Sequence, residues 1–348
     1  MKISIGMLAH NEEASISKMI ERVLKQDIFQ ENNYEVQFVI VANGCTDNTV
    51  SMAKQTFSNG IHFENLFSLV VELKQAGKSN AWNEFVHSLA WHDADYAILV
   101  DADIEFGSEN VLKRLIESLE NNIEATVAID QVKKDVDKSQ KKGILGLLSL
   151  NFSEGKKHNT HKAIAGSLYC ARGGVIRRIY MPNGLPVEDG FFRAMVVTDN
   201  FTHLDDNSKI EVVDDVCHYF QAILSPLKLY RHEKRLIIGA TINSMLFNYL
   251  WKSVGESGQD AGMIVNRLNA KEVNWLIDLV EKYKAKKGFW FVPSAFAFKY
   301  IKNILYGNKK LSKKLVQLPF ALVATVIAIV ITIDVNFFFR KNNGIGYW

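Results

Sequence analysis

The chain has 348 residues, of which 48% are hydrophobic and 23% charged, so it carries enough apolar material for a substantial core and is not a disordered protein. A formal net charge of +3 is too small to make nucleic acid a partner of the whole protein. Three widely spaced cysteines, Cys45, Cys170 and Cys217, form no Cys-x-x-Cys pair, which points to reduced thiols in a cytosolic compartment. The amino terminus enters a strand-like run at once, with no basic-then-apolar leader, so export by a cleaved signal is not expected.

In chain order, 3–9 reads as a strand and 12–26 as a helix with apolar Ile16, Ile20, Val23 and Leu24 on one face. A near-continuous apolar strand follows at 36–42, then the turn Asn43, Gly44, Cys45 and a helix from about Asp47. Residues 67–73 read as a third strand, 78–89 as a helix, 96–100 as a strand and 109–121 as another helix. Strands separated by helices of this length imply crossover connections and a mostly parallel sheet with helices on both faces. From 130 to 160 the chain is rich in Lys, Asp and Ser and reads as an exposed loop region. Strands are expected to return at 163–171 and 212–219, with a turn-rich stretch from Pro182 to Pro186 between them. Beyond about residue 222 the pattern is helical. Residues 293–305 fit an amphipathic helix with Ala297, Phe298, Ile301, Ile304 and Leu305 on one side.

The 19 residues 315–333 carry no charge, and as a helix they reach about 28 Å, close to a bilayer's hydrocarbon thickness of about 30 Å. Six lysines and no acidic residue lie between Lys299 and Lys314, against Arg340 and Lys341 beyond the segment. A membrane attachment is therefore expected, with a spanning helix favoured over a re-entrant or interfacial one and over a soluble core helix. The lysine-rich side places the α/β domain on the cytoplasmic face of the cell inner membrane. Phe289, Trp290 and Phe291 fit a headgroup-level aromatic belt.

The strand at 96–100 ends in Asp101-Ala102-Asp103. Ligands of open α/β sheets bind outside the carboxyl ends of the strands. Paired carboxylates there suit Mg²⁺ or Mn²⁺ held jointly with substrate phosphates. Alone, this pair is equally compatible with a solvated strand end. Other segments extend the pattern: Ala9-His10-Asn11-Glu12-Glu13 is similar to a Pro-x-Tyr-Asn-Glu strand end, and 39–49 to an Asp-Asp-Gly-Ser-Thr-Asp-x-Thr turn. Gly77-Lys78-Ser79-Asn80-Ala81-Trp82-Asn83 matches Gly-Lys-x-x-Ala-x-Asn. Gly166-Ser167 fits a glycine-bearing acceptor loop and Glu188-Asp189 a catalytic-base motif, with His218 following 29 residues later. His232-Glu233-Lys234-Arg235-Leu236 is a divergent Gln-x-x-Arg-Trp. In this order the segments, over about residues 1–240, resemble a family 2 glycosyltransferase with the GT-A nucleotide-sugar-binding, Rossmann-like fold.

The resemblance implies a catalytic domain over 1–221, a helical or interfacial region over 222–310, and a membrane segment with a short tail over 311–348. It implies donor binding by Ala9, Asn11, Glu12, Asn43, Lys78 and Asp101, with Arg231 and Arg235 reaching a diphosphate or a lipid phosphate. Asp103, Asp101 and His218 are the implied ligands of Mn²⁺ or Mg²⁺, and Asp189 the general base of an inverting transfer. Ala42 and Asn43 replace the family's paired Asp, and the Asn43 amide retains donor and acceptor groups for a base. Asp47 also suits an N-cap. Leu236 in place of Trp argues against a processive synthase. The implied partners are a nucleotide sugar, of which a UDP-sugar is expected, and a lipid-linked or cell-surface glycan acceptor at the membrane. The competing readings are a nucleotidyltransferase, for which 10–13 is a poor triphosphate cradle, and a non-catalytic membrane-associated scaffold of the same fold.

Overall fold

The computed structural model describes residues 1–59, 63–135, 162–221, 223, 225–272, 274–306 and 311–345. Apolar runs become the buried strands of one sheet. β1 (Lys2–Ala9), β2 (Glu35–Asn43), β3 (Leu66–Leu73) and β4 (Tyr96–Asp101) are its parallel half. The helices α1 (Ile16–Leu24), α2 (Thr49–Asn59) and α3 (Lys78–Glu84) connect them, the last running on through a π-helical turn at Phe85–Leu89. Then come β5 (Ile104–Phe106), α4 (Val111–Asn121), β6 (Val127–Lys134), β7 (Leu168–Arg172), the short α5 (Gly173–Ile176), α6 (Glu188–Val197) and β8 (Ile210–Phe220). The strand order is β3-β2-β1-β4-β7-β6-β8-β5. Pairings β4/β7, β6/β7 and β5/β8 are antiparallel, whereas β6/β8 is parallel, so the second half of the sheet is mixed.

The sheet core explains the register. Ile3, Ile5 and Met7 of β1 are fully buried, as are Val36, Phe38 and Ile40 of β2, and a one-residue slip would move each to the opposite face. Both faces of β1 and β2 are buried, so a slip would force bulky side chains into the places of Ser4 and Gly6, the latter against the Phe85 ring. The connection order reverses between β1 and β4, which makes their carboxyl ends the topological switch point.

Two departures from the sequence reading concern the second half. Residues 127–134, part of which was read as exposed loop, are strand β6, with its first four residues buried; the remainder of that stretch, 136–161, lies outside the described residues. The strand expected from 163 begins at Leu168.

The chain divides into two compact units, one drawn from Met1–Lys142, Asn159–Ala222 and Leu250–Val273, the other built on Ile223–Tyr249 and Asn274–Trp348. Helix α7 (Pro226–Ser257) contributes to both, and α8 (Ala261–Lys271) belongs to the first. The second unit holds α9 (Trp275–Lys287), α10 (Lys299–Tyr306) and α11 (Leu311–Lys341). The helix expected from 293 starts only at Lys299, because Pro293 and Ser294 accept turn bonds from Phe296 and Ala297 at 3.2 and 3.1 Å. Residues 317–341 are the one described helical segment long and apolar enough to cross a membrane.

The π-helical turn carries a pH-sensitive stability element. The His87 ring stacks on Tyr180, centroids 3.8 Å apart, and its Nε2 lies 2.9 Å from the Ile179 carbonyl. Burial holds its pKa below the ordinary value, against that hydrogen bond and with help from the Arg177 charge. The unfolded chain therefore takes the proton first. Stability should fall as pH drops below about 6.5, by at most about 1.4 kcal/mol per pH unit, and level off once the folded form also titrates. His87→Phe should keep the stack and flatten that slope in urea midpoints measured between pH 7 and 5.

Candidate active site

The carboxyl ends of β1, β2 and β4 bring the first candidate residues together, with Ala9 opposite Ala42 and Leu8 opposite Asp101. Asn43 is buried, and its amide is committed to the backbone: Nδ2 donates to the Ala9 carbonyl at 2.8 Å, and Oδ1 accepts from the Gly77 amide at 3.0 Å. The side chain expected to face a nucleobase thus braces the strand ends. Gly44 follows at φ 59°, a left-handed turn that glycine adopts without strain. Asn11, at φ 55°, accepts from the Thr46 amide at 2.8 Å and so ties the β1 loop to the β2 loop. Asp47 accepts from the Thr49 amide at 3.0 Å and the Glu13 amide at 3.2 Å, which is capping geometry at the start of α2. The Glu12 carboxylate accepts from Ser15, and its pKa is raised by burial and by the nearby charges of Asp103, Asp101 and Asp47.

Around Lys78 a charged cluster closes. Its Nζ lies 2.8 Å from Asp101 Oδ1, 3.0 Å from Glu188 Oε1 and 3.3 Å from the Gly166 carbonyl. Burial disfavours the ammonium, but the two carboxylates outweigh that cost and hold its pKa above the usual lysine range. Asp101 is pushed upward by burial and by Asp103 and Glu188, against the pull of Lys78. Gly166 leaves room here: a Cβ would sit 2.9 Å from Glu188 Oε1 and 3.5 Å from the ammonium, so a larger residue would make the Glu188 carboxylate shift. Asp189 stands one residue on, at the amino end of α6, with Oδ1 accepting from the Gly190 amide at 2.7 Å. Lys78, Asp101, Gly166, Tyr169, Glu188 and Asp189 line one narrow cleft. Asp103, past the strand end, is exposed. The distribution of the acids is the important feature: one pair is neutralised by lysine, while Glu12 and Asp103 face one another's repulsion.

His218 is placed differently. It is fully buried on β8, with Nδ1 2.7 Å from Asp130 Oδ1 and Nε2 2.8 Å from the Ser167 hydroxyl. The Ser167 carbonyl in turn accepts from the Asp101 amide at 2.9 Å. A chain Asp130–His218–Ser167 therefore runs from the mixed half of the sheet to the end of β4. Asp130 was missed in the sequence. It reaches His218 at the register shift between Ile129 and Gln131, where a bulge re-aims side chains. Burial raises the Asp130 pKa, and the His218 hydrogen bond opposes the rise. Among the described residues no group of three or more His, Cys, Asp or Glu is placed to hold a metal unaided. Arg231, exposed, and Arg235, half-buried, lie on the part of α7 that belongs to the second unit.

A parallel α/β half-sheet with charged groups gathered at its switch point defines a nucleotide-binding class of fold. Residues 4–178, half of the chain, match the family described as glycosyl transferase family 2. The chain belongs to that family; it is a glycosyltransferase with a GT-A fold. No curated protein matches its sequence. Among solved structures, the mannosyltransferase PcManGT from Pyrobaculum calidifontis, in complex with GDP-Man and Mn²⁺, is 13% identical over 94% of this chain and 86% of that one, at a TM-score of 0.53. Glucosyl-3-phosphoglycerate synthase from Mycobacterium tuberculosis, with Mg²⁺ and UDP, is 17% identical over 66% of this chain and 73% of that one, TM-score 0.43. S. aureus TarS is 18% identical over 68% and 39%, TM-score 0.46.

Proposed function

We propose that the protein transfers a sugar from a nucleotide sugar to a hydroxyl of a lipid-linked or surface-glycan acceptor, with inversion at the anomeric carbon. The observation that carries the reading is the convergence of Lys78, Asp101, Glu188 and Asp189 on one cleft at the switch point. In this reading Asp189 takes the proton of the attacking hydroxyl. Glu188, held by Lys78, fixes the first turn of α6 so that its neighbour faces the acceptor. Ala9, Asn11 and Glu12 border the donor, with Asn43 as their brace.

A divalent cation fits the donor set. Asp101 and Asp103 are hard oxygen ligands, and Glu12, Asp101 and Asp103 create a negative potential that a cation relieves. Among the described residues too few protein ligands meet for a cage, which suits an ion completed by substrate phosphates. Mn²⁺ or Mg²⁺ would there neutralise charge building on the departing diphosphate. His218 joins as a ligand only if its Nε2 exchanges the Ser167 hydroxyl for the ion. A membrane-bound acceptor gives the apolar segment 317–341 its purpose: it keeps the enzyme at the inner surface of the membrane where that acceptor resides.

The test is a donor panel of UDP-, GDP- and dTDP-sugars with and without Mn²⁺, followed by thermal shift and product analysis. The expected result is metal-dependent stabilisation, greatest with a UDP-sugar, and release of free nucleoside diphosphate. Pyrophosphate release would indicate nucleotidyl transfer instead, and an equal, metal-independent response to every nucleotide would remove the site assignment.

A further inference from the structure

Helix α11 has two contrasting sides. Ala321, Ala324, Ala328, Ile331, Val335 and Phe339 are buried within their unit, whereas Phe320, Val323, Val326, Ile327, Val330 and Phe337 are exposed. At 100° per residue the buried set falls within about 80° of the helix circumference and the exposed set within a separate arc of about 120°. Three neutral polar residues lie on the buried side: Thr325 and Thr332 donate to the carbonyls four residues back, and Asn336 donates to the Phe289 carbonyl at 3.0 Å. What remains outside from Phe320 to Ile333 is an apolar stripe, with Val323 62% exposed, and Asp334, paired with Lys234, interrupts it before Phe337. Water is a poor solvent for such a surface.

Both ends of the helix are anchored among charged residues. Near its carboxyl end Asp334 pairs with Lys234 at 2.6 Å and accepts from the Tyr230 hydroxyl at 2.5 Å, both on α7. Arg340 donates to the Gly288 carbonyl at 2.9 Å, immediately after the lysine-bearing last turn of α9. At the amino end Lys314 donates to the Leu305 carbonyl of α10, within a sequence that has six lysines and no acid between 299 and 314. Neither set of charges tolerates the hydrocarbon interior. A spanning helix must carry one of them to the far side. Here the carboxyl-terminal part is fastened to α7 and to the residues that follow α9, and the amino end to α10.

We infer that α10 and α11 form an in-plane membrane contact: the exposed stripe of α11 lies in the headgroup–acyl boundary of an anionic bilayer, and both helix ends stay on one face. The inference deepens the membrane reading above and rests on it. Lysines flanking an apolar helical face are complementary to acidic phospholipid headgroups. The arrangement replaces the spanning topology favoured by length and composition alone.

Two measurements test it on the full chain. Purified protein is sedimented with vesicles of phosphatidylcholine, with and without one quarter phosphatidylglycerol. Binding should be stronger to the anionic vesicles, and Val323→Glu with Val330→Glu should reduce it at least tenfold without changing donor binding. Equal binding by that variant overturns the contact face, and equal binding to both vesicles removes the lysine contribution. Separately, protease is added to sealed, cytoplasmic-side-out membrane vesicles from cells expressing the chain with a tag at each terminus. Both tags should be cleaved. Protection of the carboxyl-terminal tag until detergent is added overturns the in-plane topology alone, whereas wild-type protein that stays in the supernatant with every vesicle sinks the membrane reading itself.

Discussion

Asp189→Asn should lower kcat by roughly 10²–10⁴-fold while donor affinity changes by no more than a small factor. The substitution separates two roles that one carboxylate can play at a helix start. Asp189 sits in the first turn of α6 and accepts from the Gly190 amide. An asparagine oxygen still accepts that bond, so the Gly190 contact is kept while the charge is lost. If the carboxylate served the helix dipole, the cost would be about 0.3–1 kcal/mol of stability and turnover would survive. If it removes the acceptor proton, the amide cannot replace it, and turnover collapses with the fold intact. Thermal midpoint, donor titration and single-turnover rate together decide. Unchanged kcat beside a slightly lowered midpoint would assign Asp189 to the helix and leave the transfer without its base.

The part of the site that was legible in the sequence is the part built from local signals. Strands β1, β2 and β4 are apolar runs that stop at polar residues, so their pattern alone puts Ala9, Asn43 and Asp101 at strand ends. Partnerships across the sheet were not legible. Asn43 was read as a base contact because its amide has free valences in the sequence; in the fold Ala9 and Gly77 occupy them. Asp130 drew no attention, because β6 ends in Gln131, Val132, Lys133 and Lys134 and looks like a solvated loop. Its significance depends on a bulge that brings β8 past it. Helix α11 runs past its apolar segment for the same reason. Asp334 follows the uncharged 315–333 directly, yet Lys234 pairs with it and the helix continues to Lys341. A charge ends a helix, or exposes a strand, only when no distant partner meets it.

Lys78→Met should destabilise the protein strongly and steepen its gain of stability as pH falls. Lys78 is the only cation the structure gives to both Asp101 and Glu188 among the described contacts, and removing it leaves two carboxylates facing each other in a largely closed cleft. Breaking a fully buried pair costs roughly 3–5 kcal/mol; the expected loss is somewhat smaller, because a quarter of the Lys78 and Asp101 side chains is still accessible. The pH response follows from the direction of the shifts. Asp101 is already raised by burial with the ammonium beside it, and is raised further without it. A carboxyl whose folded pKa lies above its unfolded value costs stability when ionised and recovers it as pH falls through the folded value. The variant should therefore gain stability relative to wild type as pH drops from 8 to 5. Lys78 itself stays charged over that range in wild type, being held above the ordinary lysine pKa of about 10.5, so the difference between the two proteins comes from the carboxyl groups. A second readout ties the pair to the transfer reaction. If Asp101 shares its charge between lysine and a divalent ion, Mn²⁺ or Mg²⁺ should raise the variant's midpoint more than that of wild type, because the ion then supplies the only positive charge in the cleft. Urea midpoints at pH 5 and 8, with and without the ion, measure both effects. A variant as stable as wild type at pH 8 would show that the cluster around Lys78 contributes little to holding α6 in place.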